Sequence, residues 1–358
     1  MTGRMKSSSR YYSVQALRGF AALLVVIYHA AKMIRDRMDP LFTQFPAGGA
    51  GVDIFFAISG FVIVMTASPD AENLESWSGF LWRRLVRIVP LYWLLTSLKL
   101  VTLLISPDLA QHSAVSAWHV IASYLFIPAW NVEHKPFPLL TVGWTLSYEM
   151  FFYLLFTLAL WRQVRPVGWI SGLLMVLSVI GLWRTEAWGA VSTLFHPVLL
   201  EFVFGMWIAR VTFAGWRMPL RLAYYILPSM AIFILATNAL PELFCLKYRL
   251  FLWGIPGALL LLSAIALEAR FHEMLRGFPA LFGNASYAVY LVHGFILPGI
   301  GILFLKLHWQ GIWLDYIVLF VSVIGSVMAG ILLHLWVEQP FNRRLRGMVV
   351  RRKKVNID

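Results

Sequence analysis

An all-α polytopic transmembrane bundle is the fold that this sequence predicts, and three observations predict it. Of 358 residues, 60% are hydrophobic and only 13% are charged, where a soluble domain of this size keeps roughly a quarter of its residues charged. Long apolar stretches recur from one end of the chain to the other, so the excess is not a single anchor on a soluble body. The basic residues also sort onto alternate connections, as they do in multi-pass membrane proteins.

Apolar runs bounded by charge, Pro and Gly place about ten spans, at 14–33, 48–67, 85–106, 142–161, 167–184, 192–213, 221–240, 249–268, 284–306 and 313–336. The first is too long for a signal-peptide core, and no small-residue cleavage site follows it before Arg35 and Arg37. The stretch from Trp118 to Trp130 is apolar but too short to cross, so it is expected to lie at the interface. With the N-terminus in the cytoplasm, one side receives Arg83, Arg84, Arg162, Arg165, Arg217, Arg270, Arg343 and the basic tail, against a sparser set such as Lys32, Arg35 and Lys247 on the other. Both termini are therefore expected in the cytoplasm. Residues 1–341 read as a single transmembrane domain and 342–358 as a basic cytoplasmic tail.

The net charge of +13 reflects this sorting and attraction to anionic headgroups, so no nucleic-acid partner is expected. A single cysteine, Cys245, excludes an intrachain disulfide and a thiolate cluster. No metal is expected, since His112, His119 and His134 show no ligand pattern, and there is no Walker loop, nucleophile elbow or dinucleotide fingerprint. The 16 Trp are expected mainly in interfacial belts.

Ionisable groups inside the bilayer cost about 2.5–3.5 kcal/mol on insertion scales, so they mark function or partnership. Arg18 and His29 share the first span; a separation of eleven residues is roughly 16 Å of helix on nearly one face. A snorkelling Arg18 and a backbone-bonded His29 are the plainer alternative. Arg84 and Arg87, three residues apart at the mouth of the third span, form a guanidinium pair suited to phosphate oxygens, where ordinary positive-inside anchoring explains Arg84 better than Arg87. Glu149 follows Trp144, Ser147 and Tyr148 on the fourth span, at a depth compatible with orienting His29 as a base; a structural ion pair is the alternative. Tyr287, Tyr290 and His293 recur on one face of the ninth span. Asp53 and Ser59 lie in the Gly-rich second, and Glu201 and Glu338 in the sixth and tenth. Each of these can instead join helices, and for Ser59 and Glu338 that is the expected role.

In that order, Arg18 with His29, Gly51-Val-Asp-Ile-Phe-Phe-Ala-Ile-Ser-Gly60, Arg84-Leu-Val-Arg87, Trp144 to Glu149 and Ser286-Tyr-Ala-Val-Tyr-Leu-Val-His293 resemble the acyltransferase-3 family of polytopic membrane acyltransferases. The resemblance runs from Val14 to about Phe341. Gln15, where many members carry an acid, looks closer to the exopolysaccharide-modifying branch. It implies O-acyl transfer, usually of acetyl, from cytoplasmic acetyl-CoA as co-substrate to a glycan or lipid-linked glycan acceptor at the bacterial cytoplasmic (inner) membrane. It also implies Arg18, Arg84 and Arg87 as donor-binding residues and His29 as the essential catalytic residue. Glu149 is expected as its catalytic partner, with Trp144, Ser147, Tyr148, Tyr287, His293 and Asp53 binding substrate. The rival readings are a flippase or transporter of a lipid-linked sugar, since buried charges also mark transport paths, and a glycan-sensing scaffold.

Overall fold

The computed structural model describes residues 11–67, 76–105, 116–185, 187–306 and 311–345. Arg4, Lys6, Arg10 and most of the basic tail lie outside the described residues. Those described form twelve α-helices joined by short 3₁₀ and π turns, with no strand among them. All ten expected spans are helical: α1 (Tyr12–Arg37), α2 (Ala50–Ala67), α3 (Trp77–Ile105), α5 (Trp144–Trp161), α6 (Pro166–Gly181), α7 (Leu199–Phe213), α8 (Leu220–Ala236), α10 (Ile255–Leu275), α11 (Phe278–Lys306) and α12 (Ile312–Leu333). Eight of these segments are long and apolar enough to cross a membrane, whereas α6 has 16 residues and α7 has 15. The sixth expected span is thus shorter than its apolar run, because a 3₁₀ turn, Ala190–Phe195, and Pro197 precede α7.

The Trp118–Trp130 stretch does not cross. Its helix, α4 (Ala117–Tyr124), is capped by Ser116, whose Oγ accepts from the His119 amide at 3.1 Å. It lies along α3, where Trp93 Nε1 and the Tyr92 hydroxyl donate to the carbonyls of Tyr124 and Ser123 at 2.9 and 3.0 Å. The other short helix, α9 (Glu242–Lys247), joins α8 to the π turn Leu250–Gly254 that starts α10.

Two close helix pairings hold the polar residues in register. On α2 and α7, a Cβ added at Gly60 would stand 2.1 Å from the Phe202 carbonyl, and one at Gly205 1.9 Å from that of Ala57. On α1 and α11, a Cβ at Gly283 would stand 1.9 Å from the Gln15 carbonyl. Small residues are what let membrane helices approach this far, since lipid supplies no hydrophobic drive between them. The start of α1 is also fixed by α10: the Glu268 carboxylate accepts from the Tyr12 and Ser13 amides at 2.9 and 2.7 Å. A carboxylate there satisfies two orphan N–H groups and the helix dipole. Glu268 is near the end of α10 and Tyr12 starts α1, so both belong to one end of the bundle, hereafter the terminal end.

Candidate active site

Three arginines from two helices meet in one cavity. Arg18 of α1 and Arg84 and Arg87 of α3 line it, together with Ser59, Glu149, Tyr153, Tyr287 and Tyr290. Arg18 and Arg84 are buried, yet among the described residues no carboxylate forms an ion pair with any of the three. Arg18 Nη1 donates to Gln15 Oε1 at 3.2 Å. Gln15 thus offers a neutral acceptor in place of a directly paired carboxylate. Arg84 donates to the Thr66 hydroxyl and lies over the Phe80 and Tyr153 rings at 5.4 and 5.9 Å, while its Nε has no partner. Guanidiniums desolvated against aromatic faces retain donors and charge for an anion.

Glu149 shares this cavity but accepts from Ser59 Oγ at 3.1 Å and from the Tyr153 hydroxyl one turn along α5. It does not orient His29, and this corrects the expected pairing. Thr145, one turn away from Glu149 on α5, hydrogen-bonds Tyr290 at 2.9 Å, and the Tyr290 ring lies 5.7 Å from His293. His29 is therefore a further layer from the arginines than Glu149. Helix registry sets this depth, which counting from the loop ends misplaces.

His29 meets another histidine instead. Its ring is 5.0 Å from that of His293 and 4.8 Å, edge-on, from Tyr28. Nδ1 lies 2.9 Å from the Val25 carbonyl, which can only accept, so Nδ1 carries the proton and Nε2 presents a lone pair. His29 is half-buried, whereas His293 is fully buried and neither of its ring nitrogens has a well-formed hydrogen bond among the described residues.

The remaining expected substrate contacts divide. Tyr287 lines the cavity and donates to the Ile88 carbonyl at 2.7 Å. Asp53 does not line it: both oxygens accept from Arg249, at 3.1 and 2.8 Å, in a buried bidentate pair. Trp144 lies beneath that guanidinium at 6.0 Å, and Tyr148 donates to the Thr193 carbonyl at 2.6 Å. Trp144, Ser147 and Tyr148 thus stand outside the cavity lining, with Ser147 buried on α5. Their helix face is spent on the neighbouring segment, not on open space.

Sequence reasoning missed Thr145 and Tyr153 on α5, whose three- and four-residue spacing from Tyr148 and Glu149 was the available signal. Ser59, expected as glue between helices, lines the cavity and holds Glu149. Glu338 is bonded to His334 Nδ1 at 2.6 Å in a π turn. Among the described residues, no group of three or more His, Cys, Asp or Glu is placed to hold a metal.

Residues 11–335 match the acyltransferase domain that defines the acyltransferase-3 family. The chain belongs to that family. It is an integral membrane acyltransferase, and the catalytic reading stands over the transport one. It is 31% identical to the exopolysaccharide production protein ExoZ of Rhizobium meliloti over 332 residues, 90% of this chain and 96% of that one. The acyltransferase MdmB of Streptomyces mycarofaciens is 28% identical over 94% of this chain and 92% of its own. A shorter match, 32% over 49% of this chain and 29% of the other, joins it to the O-acetyltransferase OatA of Staphylococcus aureus. No solved structure matches the chain significantly.

Proposed function

We propose that this acyltransferase moves an acetyl group from cytoplasmic acetyl-CoA to a hydroxyl of an exopolysaccharide or its lipid-linked precursor, in a bacterial cytoplasmic membrane with both termini inside. The observation that carries the reading is the cavity that gathers Arg18, Arg84 and Arg87 around a single lining carboxylate, Glu149, with none of the three in an ion pair among the described residues. Coenzyme A is rich in phosphate, and guanidinium forks bind phosphate oxygens with charge-assisted bonds. The similarity to ExoZ and OatA supports the glycan and the acetyl group.

In this reading the donor enters from the terminal end, and its thioester reaches past Tyr290 toward the histidine pair. His29 Nε2 takes the proton of the acceptor hydroxyl while the oxygen attacks the thioester carbonyl. The new C–O bond forms, the C–S bond breaks, and the departing thiolate is reprotonated. The same lone pair also serves a two-step route through an acyl-imidazole; acyl label retained on the protein after donor removal distinguishes the two. His293 and the Tyr28 edge keep the imidazole in place.

Membranes given labelled acetyl-CoA test the assignment. Label enters an alkali-labile ester of the surface polysaccharide with the unaltered protein and not with His29→Ala. Equal labelling in that variant overturns the role of His29, and label from a lipid donor but never from acetyl-CoA overturns the donor.

A further inference from the structure

Tyr28 precedes His29 and points at a residue far along the chain. Its hydroxyl donates to Glu242 Oε1 at 2.5 Å, while its ring stands edge-on to the His29 imidazole at 4.8 Å. Imidazole, phenol and carboxylate are thus consecutive neighbours. Glu242 begins α9, in the connection between α8 and α10 and outside the segments long and apolar enough to span.

This connection is tied down. Asn238 Oδ1 accepts from the Ala47 amide at 3.0 Å, Trp253 Nε1 donates to Thr237 Oγ1 at 3.1 Å, and Cys245 Sγ reaches the Thr237 carbonyl at 3.6 Å. The carboxylate is therefore presented by a fixed element. It also has spare capacity: an ionised carboxylate accepts about four hydrogen bonds, Tyr28 supplies one, and Oε2 has none among the described residues. Glu242 and His29 are each only partly buried, so the line of groups is open on one side.

We infer that Glu242 is the acceptor-binding carboxylate of the site, taking the hydroxyl hydrogens of a sugar ring and turning the reacting hydroxyl toward His29 Nε2. Tyr28 holds the carboxylate in place. The inference rests on the glycan-acceptor reading above and adds to it a second protein group that the acceptor touches. It also sets a substrate class, a ring bearing adjacent hydroxyl donors, because a carboxylate offers acceptors and no donor.

The competing explanation is a plain tether that keeps α9 on α1, and the kinetics separate the two. The probe is alkali-de-esterified surface polysaccharide of the producing bacterium, assayed with acetyl-CoA and the purified full-length chain. Glu242→Gln keeps an oxygen for Tyr28 but loses the charge, and KM for the polysaccharide is expected to rise about ten- to a hundredfold, the range for hydrogen bonds to a charged group. The KM for acetyl-CoA is expected to change by less than about twofold, far less than that for the acceptor. Tyr28→Phe is expected to have a smaller effect on the same constant. A plain tether predicts the reverse: Tyr28→Phe and Glu242→Ala lower the yield of folded protein alike, and Glu242→Gln leaves the acceptor KM unchanged. That result overturns the role of Glu242 while the glycan reading stands. No transfer to the polysaccharide by the unaltered protein overturns both.

Discussion

Two regions of the bundle hold buried arginines, and they treat the charge in opposite ways. Between α2, α7 and α10, Arg249 is closed against Asp53 by two hydrogen bonds and lies near the Trp144 and Trp253 rings. Between α1 and α3, Arg18 meets the Gln15 amide and Arg84 the Thr66 hydroxyl and two aromatic faces; with Arg87 they line a cavity whose one carboxylate, Glu149, is bonded to Ser59 and Tyr153, and none of the three is ion-paired among the described residues. Burying a charge is costly either way. The first region offsets that cost by a direct ion pair within the chain; the second has three cations about one carboxylate, an excess of positive charge that the proposed donor would offset. A buried charge alone therefore does not identify a site, and an excess of cations with no direct ion pair among the described residues is the more informative sign.

The comparison is most easily broken on the closed side. Removing one partner of a buried pair costs about 3–5 kcal/mol, because the other is left uncompensated. Asp53→Ala is therefore expected to cost most or all of the folded protein, measured as thermal stability and monodisperse yield in detergent. Arg84→Ala is expected to leave that yield near normal. A stable Asp53→Ala protein with intact donor binding erases the distinction.

On the open side, the Arg84→Ala, Arg87→Ala double variant is expected to weaken binding of labelled acetyl-CoA by two orders of magnitude or more, at about 1.5–3 kcal/mol per charge-assisted bond. Unaltered affinity places the donor elsewhere. Screening gives a milder probe: donor binding should weaken as salt rises, and the residual binding of the double variant should respond less steeply. Smallest of all, Tyr153→Phe removes a hydroxyl from Glu149 but leaves it Ser59, so transfer should fall only a few-fold.

How much was legible in the sequence follows the same division. That Arg84 and Arg87 face one cavity was readable from their three-residue spacing on one helix face, although positive-inside anchoring accounted for Arg84 as well. The ten expected spans were readable as helices because apolar runs of that length are what a bilayer demands, although α6 and α7 are shorter than a full crossing. Asp53 was misread as a substrate contact, since its partner lies 196 residues away and nothing local announces Arg249. Glu149 was assigned to His29 because depth was counted from loop ends, whereas close packing at Gly283 and Gly60 sets the true register. Glu242 carried no signal in the sequence, because its partner Tyr28 lies 214 residues away.

In the proposed reading, donor binding and acyl transfer belong to different ends of the path, the arginine cavity and the His29–His293 pair. One measurement addresses it directly: acetyl-CoA affinity and acetyl transfer determined on the same purified His29→Ala protein. Affinity is expected within about twofold of the unaltered chain, with transfer reduced by the 10²–10⁴ that a positioned general base contributes, or more. Undiminished transfer, or a loss of donor affinity as large as the loss of transfer, contradicts it.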